Sequence, residues 1–283
     1  MIAFLGMGML GSNWVRAMRK RGEDVNVWNR TAARAKVLEE VGAKAFENAA
    51  DAVKGATRVH ICVSDDAAVE GILAQIVSAI AKDIIIVDHT TTTVSGAIER
   101  TARLKSQDID YVHAPVFMGP QNALESSGSM LVSGDQAVIA KVEAALKQMT
   151  GELQNMGENV GDAAAYKLLG NHNFLSISAA LIDSITLGKS LGLPMEDVIG
   201  FLEQIGTTPS AARIKRLRMG NYDAPTWELL MARKDARLMV EEAARAHNDL
   251  MVMPALGREM DALIAEGLGS KDWSIVAKKA LSE

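Results

Sequence analysis

The sequence predicts an α/β fold, namely a Rossmann-type, doubly wound parallel sheet followed by a long interdomain helix and an all-α C-terminal domain. Short apolar runs alternate with segments of helical spacing in the first half of the chain, which is the pattern of a parallel sheet with helices on both faces. A glycine-rich turn follows the first apolar run, and strand-like alternation largely disappears after about residue 157.

The first half is predicted to alternate strands and helices. We expect strands at Ile2–Leu5, Asp24–Trp28, Val59–Val63 and Ile84–Asp88. We expect helices at Leu10–Arg21, Ala32–Val41, Ala67–Ile80, Val94–Lys105 and Ala137–Met149. Two further runs, Tyr111–Val116 and Ser129–Ser133, are predicted to extend the same sheet.

The second half is predicted to be helical. Its first segment, Ala163–Leu191, has no proline, repeats apolar residues at helical spacing and is followed by Gly192 and Pro194, which commonly end helices. Further helices are expected at Glu196–Ile205, Ala211–Met219, Thr226–His247, Pro254–Glu266 and Trp273–Leu281. We therefore predict a dinucleotide-binding domain over residues 1–160 and a helical domain over residues 161–283.

Composition narrows the function classes. The 283 residues are 48% hydrophobic and 23% charged, which is ordinary for a soluble globular protein. The formal charge of −5 argues against a nucleic-acid partner, because no domain is strongly basic. No run approaches the ~20 apolar residues that span a membrane. The single cysteine, Cys62, is interpreted as a buried strand residue and fits a reducing, cytoplasmic location.

The glycine-rich turn predicts a dinucleotide site, because a G-x-G-x-x-G motif is informative when it lies between a strand and a helix. Gly6 permits the tight turn, Gly8 lets the backbone approach a pyrophosphate, and Gly11 lets helix and strand pack closely. The phosphates would then bind at the positive end of the helix. The predicted phosphate-binding turn comprises Gly6, Met7, Gly8, Met9, Leu10 and Gly11. The alternative is a turn that merely joins strand to helix.

The end of the second strand predicts which dinucleotide binds. NAD-dependent enzymes usually have Asp or Glu there to bind the ribose hydroxyls, whereas this chain has Asn29, Arg30 and Thr31. Arg30 can pair with a 2′-phosphate, and its neighbours can donate hydrogen bonds. Arg34, one turn further on, is a possible second cation. We therefore predict NADP(H), although Arg30 as an ordinary solvated residue is the alternative.

Lys167 and Asn171 lie four residues apart in the long helix, so they share one of its faces. Such a pair, taken alone, is usually solvent-facing. Together with other motifs in order along the chain, it resembles the β-hydroxyacid dehydrogenase family, which includes 3-hydroxyisobutyrate dehydrogenases and the tartronate and glyoxylate/succinic semialdehyde reductases. The resemblance covers nearly the whole chain. Its motifs are Gly6–Gly11 with Asn29–Thr31, then Asp88–Thr91, Ala114–Val116, Gly161–Asn171 and Lys234–Asp235.

The resemblance implies a role for each motif. Lys167 is implied to be the general acid/base, with Asn171 orienting the substrate beside it. Lys234 is implied to close over the cofactor, and Asp235 to make a nearby structural or substrate contact. The other cofactor-binding residues are implied to be Val63, Ser64 and Thr91, the last of these near the nicotinamide ribose. The family assembles as dimers or tetramers through the helical domain, so a homo-oligomer is implied.

These residues suit the reduction of a carbonyl group, which needs a hydride on carbon and a proton on oxygen. NADPH supplies the hydride, so the protein supplies position and the proton. A lysine ammonium can donate that proton and stabilise the developing alkoxide, and such a donor typically contributes about 10²–10⁴-fold in rate. The five histidines show no metal-ligand spacing, so no metal site is predicted.

The loop after Pro115 departs from the family. In 3-hydroxyisobutyrate dehydrogenases this loop resembles Asp-Ala-Pro-Val-Ser-Gly-Gly, whose serine and glycine amides hold the substrate carboxylate. Here Phe117 replaces the serine and Met118 replaces the first glycine. Either both side chains pack into the core, or the substrate has changed. A changed substrate would be less polar at that end, or would be held by the residues that follow. The predicted substrate contacts are Phe117, Met118, Gly119, Gln121, Asn122 and Asp235.

We therefore expect an NADPH-dependent reductase of a small aldehyde or keto acid, with succinic semialdehyde and glyoxylate as the first substrates to test. One alternative is an imine reductase or reductive aminase, since those enzymes resemble this chain but usually carry Asp or Tyr in place of Lys167. The other is a non-catalytic NADPH-binding module. Because cytosolic NADPH is generally kept reduced, the reaction is expected to run toward the alcohol.

Overall fold

A computed structural model describes residues 1–81, 84–190, 192–205, 215–245, 250 and 252–281. The chain divides into two compact units, Met1–Lys167 and Leu168–Glu283. The division falls inside the long helix, a little later than the boundary predicted near residue 160. Over the described residues, no helix is both long enough and apolar enough to cross a bilayer.

The first unit is built on a six-stranded parallel sheet of order β3-β2-β1-β4-β5-β6. Its strands are β1 (Ile2–Leu5), β2 (Val25–Trp28), β3 (Lys44–Ala45), β4 (Arg58–Ile61), β5 (Ile85–Asp88) and β6 (Asp110–His113). The strand order reverses between β1 and β4, which is where doubly wound sheets form a crevice for dinucleotides. The Rossmann-type fold predicted from the sequence is therefore confirmed.

Helices cover both faces of this sheet, because successive side chains of a strand point to opposite faces. Phe4 of β1 packs in an apolar cluster on one face, and Leu5 packs in a second cluster on the other. The helices are α1 (Met9–Lys20), α2 (Ala32–Lys36), α3 (Ala49–Val53), α4 (Asp66–Ile76), α5 (Val94–Lys105), α6 (Pro120–Glu125) and α7 (Gln136–Lys147). A 3₁₀ turn at Val37–Val41 completes the segment predicted as one helix from Ala32.

A separate three-stranded sheet corrects one prediction. The strands β7 (Val116–Phe117), β8 (Ser129–Val132) and β9 (Glu152–Asn155) form it, with β7–β8 antiparallel and β8–β9 parallel. The expectation that Ser129–Ser133 extends the main sheet was therefore wrong. The run Tyr111–Val116 is split between the two sheets, because Pro115 has no N–H to continue a ladder.

The second unit is helical. Its elements are α8 (Asp162–Ser190, which begins in the first unit), α9 (Met195–Ile205), α10 (Leu229–Arg245), α11 (Met253–Ala265), a 3₁₀ turn (Trp273–Ala277) and α12 (Lys278–Leu281). The helix expected from Thr226 begins later, because the N–H of Thr226 and that of Leu229 bind Asp272 and Lys271 instead. Of the helix predicted over Ala211–Met219, residues 215–219 are helical and residues 211–214 lie outside the described residues.

A buried chain of polar groups crosses the first unit. The Arg58 guanidinium donates to His60 Nε2 (2.7 Å), His60 Nδ1 lies 2.9 Å from His89 Nε2, and His89 Nδ1 lies 2.9 Å from the Ala114 carbonyl oxygen. One tautomer satisfies all three contacts if each imidazole donates from Nδ1. Both imidazoles are therefore neutral members of the core, and His60 stacks on Phe4.

We expect the chain to lose stability as the pH falls from about 6.5 toward 4. Burial lowers the pKa of His89 from 6.5 to about 4, and burial lowers that of His60 well below its ordinary value. In this window the unfolded state binds protons that the folded state does not, so the free energy of unfolding rises with pH. His89 alone contributes about 3 kcal/mol across the window.

Urea midpoints measured by tryptophan fluorescence at pH 7, 6 and 5 check this expectation. The His89→Gln variant should be less stable at pH 7 but should show a shallower dependence on pH. An unchanged midpoint from pH 7 to pH 5 in the unmodified chain would contradict it.

Candidate active site

The glycine-rich turn leaves no room for side chains at two of its three glycines. Gly6 has φ of +107°, and a Cβ there would lie 2.1 Å from the Cys62 carbonyl oxygen. A Cβ on Gly11 would lie 2.0 Å from the Gly6 carbonyl oxygen. Because both contacts are with backbone, the turn requires glycine at both positions. Cys62 itself is half-buried and follows β4 rather than lying within it.

Gly8 differs from these two glycines, because a Cβ built on it meets no atom within 4 Å. Gly8 is the N-cap of α1, and none of the described side chains caps this helix end. The first N–H groups of a helix have no partner within the helix and carry its positive dipole end. Open space over unpaired N–H groups is what a pyrophosphate needs, so these residues fit a dinucleotide.

Asn29 connects this turn to the end of β2. Its Oδ1 accepts a hydrogen bond from the Met7 N–H (2.9 Å), and its Nδ2 donates to the Thr31 carbonyl oxygen (3.0 Å). Arg30, Thr31 and Arg34 are exposed at the same strand end. Neither arginine forms an ion pair with a residue that the structure describes. Asn29 therefore shapes the turn, and the two arginines are the cations that face solvent beside it.

The loops after β4 and β5 are joined at the same edge of the sheet. The Val63 N–H donates to the Thr90 hydroxyl (3.1 Å), and the Thr90 N–H donates to Asp88 Oδ1 (2.9 Å). Ser64 and Thr91 are half-buried in these loops. Three predicted cofactor residues, Val63, Ser64 and Thr91, thus lie on the edge that carries the phosphate-binding turn.

Sequence reasoning missed a buried ionic network behind these loops. The Tyr111 hydroxyl donates to Asp88 Oδ2 (2.6 Å), and Arg100 donates from Nε to the Tyr111 oxygen (3.2 Å) and from Nη1 to Asp66 Oδ1 (2.8 Å). Burial, with the neighbouring Asp88 carboxylate, raises the pKa of Tyr111 well above its ordinary value, so the phenol stays protonated. Asp66 also accepts the Thr93 N–H (2.9 Å). The loop that contains Thr91 is therefore held at one end by the buried Asp88 and at the other end by the partly exposed Asp66.

Lys167 lies in the first unit, near the start of α8. The helix is anchored where it begins, because the Ala163 N–H donates to the Ser133 hydroxyl (2.9 Å). Lys167 is only 9% exposed, and its Nζ lies 4.2 Å from the centroid of the Phe117 ring. This is within the ~6 Å of a cation–π contact. The lysine is therefore an ordered, largely buried cation and not a solvent-facing side chain.

The loop after Pro115 folds back on itself. Asn122 Oδ1 accepts the Gly119 N–H (2.9 Å), and Asn122 Nδ2 donates to the Ser127 hydroxyl (2.9 Å). Gln121 is exposed and donates to Glu125. Met118 packs against the core of the first unit. Of the two replacements noted in the sequence, Met118 thus joins the core and Phe117 contacts Lys167.

Three predicted residues come together in the second unit. Asn171, one helical turn beyond Lys167 on α8, donates from Nδ2 to Asp235 Oδ2 (2.6 Å). Lys234 Nζ lies 2.5 Å from Asp235 Oδ1. Asn171 and Asp235 are both buried, with 4% and 3% of their surface exposed. Asp235 therefore fixes the orientation of the Asn171 amide. Among the described residues, no three His, Cys, Asp or Glu side chains come together as metal ligands.

The chain is similar in sequence to known dehydrogenases and oxidoreductases. The family model for the NAD binding domain of 6-phosphogluconate dehydrogenase matches residues 1–157. The chain is 30% identical over 261 residues to an uncharacterized oxidoreductase of Shewanella frigidimarina, covering 89% of this chain and 88% of that protein. It is 25% identical over 284 residues to the 2-(hydroxymethyl)glutarate dehydrogenase of Eubacterium barkeri, covering 98% and 93%.

Among solved structures, the 3-hydroxyisobutyrate dehydrogenase of Mycobacterium tuberculosis with L-serine is similar in fold. The TM-score is 0.84 at 20% identity, and the match covers 99% of each chain. The matched nucleotide-binding domain and the full-length relatives together identify the chain as a member of the β-hydroxyacid dehydrogenase family, an oxidoreductase that uses a nicotinamide dinucleotide.

Proposed function

We propose that this chain is an NADPH-dependent reductase of a small aldehyde or keto acid, with Lys167 as the general acid/base. The observation that carries the proposal is the largely buried Lys167, held against Phe117 in the unit that also carries the phosphate-binding turn. A charged donor held in this way can stabilise the oxyanion that develops as a carbonyl is reduced.

Each residue of the proposed site has a separate role in the reaction. When bound, the reduced dinucleotide supplies a hydride to the carbonyl carbon. Lys167 donates a proton from Nζ to the carbonyl oxygen, so that C=O becomes CH–OH, and solvent then restores the proton on the lysine. Asn171 orients the carbonyl through its amide, whose direction is fixed by Asp235.

The proposed cofactor site uses the open edge of the sheet. The N–H groups at the start of α1 hold the pyrophosphate, and Val63, Ser64 and Thr91 line the nicotinamide half. Lys234 is a further proposed cofactor-binding residue. We also propose a cytoplasmic homodimer or homotetramer, whose state is measured by light scattering after size exclusion.

The proposed preference for NADPH predicts how reversing the charge of Arg30 changes the KM for each dinucleotide. Arg30→Glu should raise the KM for NADPH by about 100-fold, because a charge-assisted bond to the 2′-phosphate is lost and a like charge is introduced. The KM for NADH should change little. Arg34→Glu is the matched control, since it makes the same charge change one turn away and should have a smaller effect. Equal KM values for both dinucleotides in the unmodified chain would contradict the preference.

A substrate screen tests the reaction class. NADPH absorbance is followed with short aldehydes, keto acids, β-hydroxy acids with NADP⁺, and cyclic imines. We expect turnover of carbonyl compounds and of the matching hydroxy compounds. Turnover of cyclic imines alone would replace the proposal by an imine reductase, and NADPH binding without turnover of any compound would replace it by a binding module.

A further inference from the structure

The ring of Phe117 occupies the space beside the amine of Lys167. Their distance of 4.2 Å places the ammonium over the face of the ring, which is the electron-rich part of an aromatic side chain. Phe117 is itself fixed, because its strand pairs with β8 opposite Ser129. A substrate whose carbonyl reaches Lys167 therefore passes a fixed apolar wall.

The residues after Phe117 offer few groups to an anion. The Gly119 N–H is bound to Asn122 Oδ1, and the Asn122 amide nitrogen donates to the Ser127 hydroxyl. The Gln121 side chain donates to Glu125, so a protein carboxylate already lies next to it. Met118 contributes an apolar side chain that packs on the core. The Gly119 N–H and the side-chain amides of Gln121 and Asn122 thus each bind another group of the same segment, residues 119–127.

A carboxylate needs hydrogen-bond donors when it leaves water, and an unpaired one is costly to bury. An uncharged alkyl group has the opposite preference, since it gains by contact with apolar surface. The loop 117–122 therefore favours a substrate that is uncharged where it meets Phe117.

We propose that Phe117 is a specificity-determining residue, and that it selects uncharged aldehydes or ketones over substrates that carry a carboxylate. The inference rests on the proposed role of Lys167 as proton donor, and it narrows that function from aldehydes and keto acids to neutral carbonyl compounds. The loop 117–122 supports the same selection, because its Gly119 N–H and its two side-chain amides already donate to neighbouring groups.

The test compares carbonyl substrates of matched carbon number that differ in charge. Butanal is paired with succinic semialdehyde, and acetaldehyde with glyoxylate, and kcat/KM is measured with NADPH for each. The unmodified enzyme is expected to prefer the neutral member of each pair by at least about tenfold, because a hydrogen bond to a charged group is typically worth about 10- to 100-fold.

Two substitutions of Phe117 separate charge selection from packing, and a third variant, at Asn122, supports them. Phe117→Ser introduces a hydroxyl donor and removes the ring, so the preference for the neutral member should fall by about 10- to 100-fold. Phe117→Leu keeps an apolar side chain without a donor, so the preference should stay within about threefold of the original. Asn122→Ala, which releases the Gly119 N–H, should shift the preference in the same direction as Phe117→Ser and serves if that variant fails to fold.

The outcomes distinguish the inference from the function on which it rests. Two results would overturn the proposed selection of neutral substrates and leave the proposed reductase function standing. One is a preference of the unmodified enzyme for succinic semialdehyde or glyoxylate. The other is an unchanged preference in both Phe117→Ser and Asn122→Ala. No turnover of either class would overturn both. Calorimetric binding of succinate to the enzyme with NADP⁺ adds a readout without turnover, and it should appear in Phe117→Ser and be absent in the unmodified enzyme.

Discussion

Replacing Lys167 with methionine is expected to lower kcat/KM for carbonyl reduction by about 100- to 10,000-fold. Methionine keeps the unbranched apolar stem that packs near Phe117 and removes the proton and the positive charge. Because Lys167 takes no part in the phosphate-binding turn, the Kd for NADPH should stay within about threefold. Initial rates followed by NADPH absorbance, and the Kd followed by NADPH fluorescence, measure the two effects separately.

The matched control for this change is Lys147→Met. Lys147 is an exposed lysine of the same unit, paired on the surface with Glu143, so its replacement should leave kcat/KM unchanged. Equal rates for the unmodified enzyme and Lys167→Met would show that the proton comes from another group. A large rise in the NADPH Kd of Lys167→Met would show that the lysine serves the cofactor instead.

The second large effect is expected from adding one methyl group to the phosphate-binding turn. Gly6→Ala places a Cβ 2.1 Å from the Cys62 carbonyl oxygen at a φ of +107°. Strain of this kind and overpacking each cost roughly 1–3 kcal/mol. We expect Tm to fall by about 5–20 °C, because 1 kcal/mol shifts Tm by roughly 2–4 °C in a domain of this size.

Gly8→Ala is the matched control, since its added methyl group meets open space. Its Tm without dinucleotide should be close to that of the unmodified chain, whereas its NADPH Kd should rise at least about tenfold because the methyl group lies where the pyrophosphate approaches. Differential scanning calorimetry and a fluorescence titration measure both. Unchanged NADPH affinity in Gly8→Ala would contradict this position of the phosphates.

The main sheet was predictable because its strands carry their own signal. The buried parallel strand Ile2–Leu5 is a continuous apolar run, and Ile85–Asp88 is apolar up to its final aspartate. The helices between the strands repeat apolar residues at helical spacing. The two-residue strands Lys44–Ala45 and Val116–Phe117 are too short to show a period. The second sheet was missed partly because of these short strands. It was also missed because an apolar run indicates that a strand exists but not which sheet the strand joins.

Site residues that belong to a local sequence motif could be predicted. Contacts between residues that are far apart in the sequence could not. Gly6 and Lys167 lie in recognisable motifs. By contrast, Phe117 and Lys167 are 50 positions apart in sequence, and only the fold brings the ring over the amine. Arg100 lies on an amphipathic helix, where arginines usually face solvent, yet it is 2% exposed. Its burial depends on Tyr111 and Asp66, which no spacing rule connects with it.

The double attachment of Asn29 has a consequence for coenzyme exchange. An aspartate at this position would still accept the Met7 N–H and would bring the carboxylate that NAD-dependent enzymes use for ribose. Only the donor to the Thr31 carbonyl would be lost. Arg30, the cation proposed to bind the 2′-phosphate, would remain next to the new carboxylate, so we expect a full change of coenzyme to require substitutions at both adjacent positions.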